Sequence, residues 1–156
     1  MCLISKYKKA FIADEDIYCY KILSMNSRGE YRTHYLKQPV NDSIINGNET
    51  FKAIGDEEIV KQQYKSIFSY RYHIGKGFIH TYDRKRAIVQ RCNWHSLYNK
   101  IFECVIPKGT KYYMGENDDY ASKEIRFIRE VPIRELDSEY NAWERYLRKG
   151  SFYYLY

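Results

Sequence analysis

The residues best suited to chemistry lie in one stretch, residues 74–87, IGKGFIHTYDRKRA. Two glycines flank Lys76, and glycine turns can aim backbone amides at a phosphate. The stretch lacks the Gly-x-x-x-x-Gly-Lys-Ser/Thr pattern of a nucleotide-binding loop, and its glycines precede a strand instead of following one. A tight turn is the plainer reading. His80 shares one strand face with Phe78 and Tyr82. There an imidazole either satisfies a backbone carbonyl in the core or hydrogen-bonds a base, ribose or phosphate. Arg84 and Arg86, with Lys85 and Arg91, crowd the start of the next helix. Cations at a helix N-terminus are unfavourable without an anion, so a site formed by His80, Arg84, Arg86 and free amides competes with a merely solvated helix face. Tyr112 and Tyr113, after the Gly109-Thr110 turn, either form a stacking platform or fill strand positions.

Other chemistry finds little support. Cys19 and Cys104 lie inside apolar strands and read as inert packing. Ser122 beside Lys123 and Glu124 is too common an arrangement to mean catalysis. Cys2, Cys19, Cys92 and Cys104 show no close metal or redox spacing. No catalytic group, metal or cofactor is therefore expected. Lys and Arg total 26 against 20 Asp and Glu, a net +6 that suits an anionic small molecule, nucleotide, nucleic acid or acidic protein surface. The N-terminal residues become charged before a signal-peptide core could form, and no apolar run approaches a membrane span of ~20 residues. A cytoplasmic protein with free thiols and no membrane partner is expected.

The elements that must position these residues are short. Residues 16–24 read as a buried strand, 26–30 as a turn, 31–39 as a second strand, 40–49 as a loop and 50–54 as a short strand. After Asp56, Val60, Tyr64, Ile67 and Phe68 fall at helical spacing, which predicts a helix over 57–68. Residues 78–82 predict a strand, and Thr81 or Asp83 caps a helix whose face carries Ala87, Ile88, Trp94 and Tyr98. Residues 101–107 form the clearest strand, followed by a turn, a short extension and a polar loop. Residues 122–131 predict another strand, with Ile125, Phe127 and Arg129 alternating against the charges. Ser138 is placed to cap an amphipathic helix that Gly150 ends, burying Tyr140, Trp143, Tyr146 and Leu147. SFYYLY at 151–156 is costly as a free tail, and packing against a second copy would make a homodimer. Aromatic content is high, at 18 Tyr, 7 Phe and 2 Trp, and most of these suit strands and half-buried surfaces.

YKIL, GFIHTYDRKRA, FECVIPKGTKYY and YASKEIRFI together resemble a group of small uncharacterised proteins from gut bacteria and their phages. The resemblance covers most of residues 1–131 and implies a phage association without transferring an activity. In outline, GFIHTYDRKRAIVQ followed by FECVIPKG is also similar to the ADP-ribosyltransferases. Those enzymes hold NAD with a His-Gly or Arg-Gly pair on the first strand and usually use a glutamate on a late strand. The corresponding strand here offers Tyr20-Lys21, and Glu124 or Glu130 stands in the late position, so the NAD-gripping pair is missing.

These readings converge on a single α+β domain over residues 1–156. It has a largely antiparallel sheet, a central capped helix, and a C-terminal helix with an aromatic tail over 135–156. The leading functional expectation is a binding protein that recognises or sequesters a nucleotide-like or other anionic ligand. Its ligand-facing residues are Tyr20, Lys76, His80, Arg84, Arg86, Tyr112 and Tyr113. The alternatives are a diverged ADP-ribosyltransferase-like enzyme using NAD, and a protein-interaction module that inhibits a host complex or serves in a virion.

Overall fold

Short β-branched and aromatic runs, separated by polar turns, pair into sheets along most of the chain. The computed structural model describes residues 3–34, 36–93, 99–117, 119–132, 134–139 and 141, with only the backbone of 66–68 and 91–93. β1 (Leu3–Ser5) and β2 (Phe11–Ile12) precede the long β3 (Ile17–Met25). Asn26 closes the next turn by accepting from the amides of Arg28 and Glu30 at 2.9 and 3.0 Å. β4 (Tyr31–Thr33) and β5 (Pro39–Val40) follow, then one helical turn, α1 (Asp42–Ile45), and β6 (Phe51–Lys52). β7 (Ile59–Tyr64) and β8 (Ser66–Ile74) form a hairpin, and β9 (Ile79–Tyr82) leads into α2 (Arg84–Asn93). β10 (Asn99–Ile106), β11 (Lys111–Met114), β12 (Asp119–Ser122) and β13 (Glu124–Glu130) complete the strands. Residues 134–139 are helical and are called α3.

The described residues form one domain, built mostly of antiparallel sheet. Its main sheet has ten strands, in the order β2-β11-β12-β9-β3-β10-β13-β6 with β4 and β5 appended beside β3. The four apolar segments read from the sequence, at β3, β9, β10 and β13, all lie in it. β3 and β10 pair continuously from Ser24↔Asn99 to Ile17↔Ile106. Alternation then sorts the core. Cys19, Leu23, Phe102, Cys104, Phe127 and Ile125 pack on one face, partly covered by α1. Ile22, Tyr82, Ile101, Ala87, Ile88 and Leu136 pack on the other, beneath α2 and α3. A second sheet, β1-β8-β7, joins the first through Leu3, Ile74, Phe78, Tyr113 and Ala121. Among the described residues no helix is long and apolar enough to cross a membrane.

Several sequence expectations are corrected. The helix expected over 57–68 is the β7–β8 hairpin, turned at Lys65 with φ 56°. Every residue of β7 is exposed, so its apparent helical spacing marks no buried face, while β8 supplies the backbone partner. The second strand over 31–39 is two short strands separated by a turn through Lys37, at φ 52°. Within the loop over 40–49, Asn41 caps α1 by accepting from the Ile44 amide at 2.9 Å. The polar loop near 119 is already strand β12, and β1 and the β8 residues 69–74 had no counterpart in the sequence reading. Arg129 points outward: a register shift in the β10–β13 pairing lets it reach Glu103 at 2.7 Å and Glu135 at 3.2 Å.

Asp83 does cap α2, accepting from the Arg86 amide at 2.6 Å. Ser138, by contrast, lies inside α3, where its hydroxyl donates to the Glu135 carbonyl. The first turn of that helix closes on the Pro132 carbonyl, which accepts from the amides of Glu135 and Leu136. Proline suits this start because it needs no amide donor there. The expectations for Trp94, Tyr98, Tyr140, Trp143, Tyr146, Leu147 and the 151–156 tail concern positions outside the described residues.

Candidate functional site

A cavity of about 290 Å³ opens where one edge of β3 passes from one partner to another. β9 pairs with that edge at Tyr20↔Tyr82, and β4 pairs with it from Leu23↔Thr33 to Met25↔Tyr31. Between these contacts no ladder partner pairs with β3 on that side, at Lys21 and Ile22, among the described residues. Lys21, Thr33, His34, Gln38 and His80 supply the polar wall, and Ile22, Phe51, Ile79 and Tyr82 much of the apolar one.

Lys21 dominates the site. Alternation places it between Cys19 and Leu23, facing inward, yet it carries an ammonium. Its Nζ donates to the His80 carbonyl at 2.7 Å. Burial lowers its pKa from 10.5 to about 8. No carboxylate among the described residues pairs with it. The neighbouring thiols do not replace one, because burial pushes Cys19 up to about 12 and Cys104 well above its usual value. They remain neutral thiols at pH 7.

His80 is the second polar group. Its Nε2 lies 3.1 Å from the Gly75 carbonyl, which can only accept, so Nε2 carries the proton and Nδ1 is left as an acceptor. Burial pushes its pKa down to about 4, with the Gly75 contact opposing the shift, and the ring is neutral at pH 7. His34 is lowered in the same direction by burial, then by Lys37 and Lys21, while a hydrogen bond with Asn99 opposes this.

A pH test follows from His80. Its folded pKa lies below the unfolded value of 6.5, so the unfolded chain binds the proton first as pH falls. Stability is therefore lost between pH 6.5 and 4, by about 3 kcal/mol for this group at the lower limit. Urea unfolding at pH 7 and pH 4 measures the loss, and His80→Gln should remove that share of it.

The glycine turn before β9 is already filled by protein groups. The Gly75 amide donates to the Glu58 carbonyl at 2.8 Å, and the Lys76 amide approaches the Glu58 carboxylate at 3.5 Å. Lys123 donates to the Gly77 carbonyl at 2.8 Å. A carboxylate thus stands where a phosphate cradle would need an anion. Gly77 has φ 76°, and an added Cβ would meet the Asp56 carbonyl oxygen at 2.7 Å. Gly77→Ala is expected to cost about 2 kcal/mol or more through left-handed strain plus this clash. Gly29→Ala, at φ 78° with open space around it, should cost only about 1 kcal/mol. Thermal unfolding of the two variants gives the comparison.

The other sequence-selected residues lie elsewhere. Lys76 is exposed beside Asp56, Glu57 and Glu58 on a separate open concavity. Arg84 stands at the start of α2, bound at 2.6 Å by Glu135 and by both carboxylate oxygens of Glu139. It also donates to the Tyr20 hydroxyl at 3.3 Å and lies over that ring. Its charge at a helix N-terminus is thus offset by α3. Arg86 has its amide on the Asp83 cap, and its buried Nε has no hydrogen-bond partner among the described residues. Tyr113 is buried edge-to-face on Phe78, with ring centres 5.4 Å apart. Tyr112, on the opposite face of β11, packs near Phe11 and Tyr120 at 5.7 and 6.2 Å.

Of the selected set, the structure brings only His80 to this cavity, and it brings Tyr20 and Arg84 to each other. Lys21, Thr33, His34 and Gln38 line the cavity and are not among the residues whose types and spacing point to a site. One signal was available: a lysine at an inward position of an otherwise apolar strand. Among the described residues no cluster of three His, Cys, Asp or Glu side chains is placed to hold a metal ion. The chain matches no protein-family model, no curated protein and no solved structure.

Proposed function

We propose that the protein binds a small anionic ligand with a flat apolar body, of nucleoside-monophosphate size or smaller, in the Lys21 cavity. The observation that carries this reading is the Lys21 ammonium on the cavity wall, hydrogen-bonded to a neutral carbonyl and without a carboxylate among the described residues. A bound anion supplies the missing counter-charge. Phe51, Ile79 and Ile22 offer apolar contact, while His80 Nδ1, Thr33 and Gln38 offer hydrogen bonds to a polar edge. At about 290 Å³ the cavity lies near the lower end of small-molecule sites. The lining set holds charge and hydrogen-bonds, which favours recognition or sequestration over turnover. In a phage setting, which the sequence resemblance implies, such a cavity would serve to withdraw a nucleotide-like compound from its other binders.

Native mass spectrometry of the purified chain tests this, followed by thermal shift with AMP, ADP, NAD, adenosine and an aromatic carboxylate. Anionic compounds should raise the melting temperature and neutral adenosine should not. Equal shifts by adenosine and AMP would refute the counter-charge role. Consumption of NAD would instead support the ADP-ribosyltransferase-like reading. A co-purifying protein with no small ligand would support the interaction-module reading.

A further inference from the structure

The free edge of the small sheet carries an inference independent of the cavity. β7 is the outer strand of the β1-β8-β7 sheet, and each of its residues is exposed. Among the described residues its outer backbone edge has no hydrogen-bonding partner. Such an edge is a template for another strand unless charge, proline or a bulge blocks it. Between Ile59 and Tyr64 the only charge is Lys61, whose ammonium is drawn over the Tyr70 ring at 3.7 Å. The register shift in the hairpin falls near its tip, at Gln63/Tyr64.

We propose that β7 pairs antiparallel with β7 of a second copy, across a two-fold axis through Gln62. The two small sheets would then join into one continuous sheet.

The side chains select this partner and this register. A two-fold axis perpendicular to a sheet keeps paired side chains on one face, so a residue pairs only with one an even number of positions away. Centring on Lys61 sets Lys61 against Lys61 and Val60 against Gln62, which opposes like charges. Centring on Gln63 brings Lys61 opposite Lys65, another like-charge pair. Centring on Gln62 sets Gln62 against Gln62, Lys61 against Gln63, and Val60 against Tyr64 twice. That register opposes no like charges and covers Val60 and Tyr64, which are 52% and 38% exposed in the single chain. β-branched and aromatic residues directly opposite each other are favourable cross-strand pairs. Residues 59–74 contain no carboxylate, so within β7 itself the only charge to place is that of Lys61.

Sedimentation of the full chain over a range of concentrations should show reversible doubling of mass. Two double variants then test the register. Val60→Lys with Tyr64→Lys places like charges opposite each other at both ends and should weaken dimerisation at least about tenfold. Val60→Glu with Tyr64→Lys places opposite charges there and should retain the dimer. Both variants lose the Arg71 contact to the Tyr64 ring, so damage to the hairpin would appear equally in their circular dichroism. A wild-type chain that stays monomeric at every concentration overturns the proposal. So does a dimer that responds alike to both double variants, since it would be held by another register or surface.

Discussion

Replacing Lys21 by methionine is expected to weaken anion binding about tenfold to a hundredfold while raising the melting temperature. The two effects share one cause. The ammonium is held in a half-buried cavity wall with one carbonyl as its partner among the described residues and no carboxylate among them to offset its charge. Methionine has similar length and no charge, so it relieves that cost and loses only a single neutral-acceptor hydrogen bond. The wild-type chain should also show the penalty in its pH profile. Its folded Lys21 pKa, about 8, lies below the unfolded 10.5. Across that window the unfolded chain holds more protons, so this group makes stability rise with pH. Lys21→Met should lack that rise. Titration calorimetry with AMP and thermal unfolding at pH 7 and pH 9 measure the predictions. Lower thermal stability with unchanged affinity would mean that the lysine supports the fold and not a ligand.

Phe102→Ala should have the largest effect on folding itself, about 3–5 kcal/mol. Phe102 is 2% exposed in the main core cluster. It meets Tyr31 and Phe127 edge-to-face, with ring centres 5.2 and 5.5 Å apart. Truncation leaves a void between β3, β4 and β13 that the sheet's hydrogen-bonded ladders prevent from closing. Tyr18→Ala is the control, because Tyr18 lies on the neighbouring strand β3 and is 65% exposed; it should cost well under 1 kcal/mol. Urea midpoints for the two variants supply the comparison. A domain with total stability of about 5–15 kcal/mol would feel the Phe102 change as a large fraction of the whole.

Where the chain's local chemistry was strong, the sequence was legible. IYCYKILS, FIHTY and IFECVI combine β-branched and aromatic residues between turn formers, and they lie in β3, β9 and β10. Asp83 precedes a helix and caps it, since the cap is a contact between residues three apart. Residues 57–68 show the limit of the same reasoning. Val60 and Tyr64 fit a helical period, but a period identifies an element only when one face is buried, and no residue of β7 is buried. The cap at Ser138 failed for a similar reason: α3 begins earlier, on Pro132, leaving the serine inside the helix.

Local chemistry along the chain is enough for the largely antiparallel sheet, its main strands and the capped α2. These follow from alternation, turn chemistry and contacts a few residues apart. The tertiary structure alone decided what the charged groups meet. Arg84 is neutralised by Glu135 and Glu139, 51 and 55 residues away, because α3 packs beside α2 on one face of the sheet. Lys21 faces a cavity because β9 holds the edge of β3 at Tyr20 and β4 resumes it at Leu23. No spacing along the chain encodes where a strand edge passes from one partner to another. That handover depends on how all the strands pack at once, and it leaves Lys21 beside the cavity with the His80 carbonyl as its partner among the described residues.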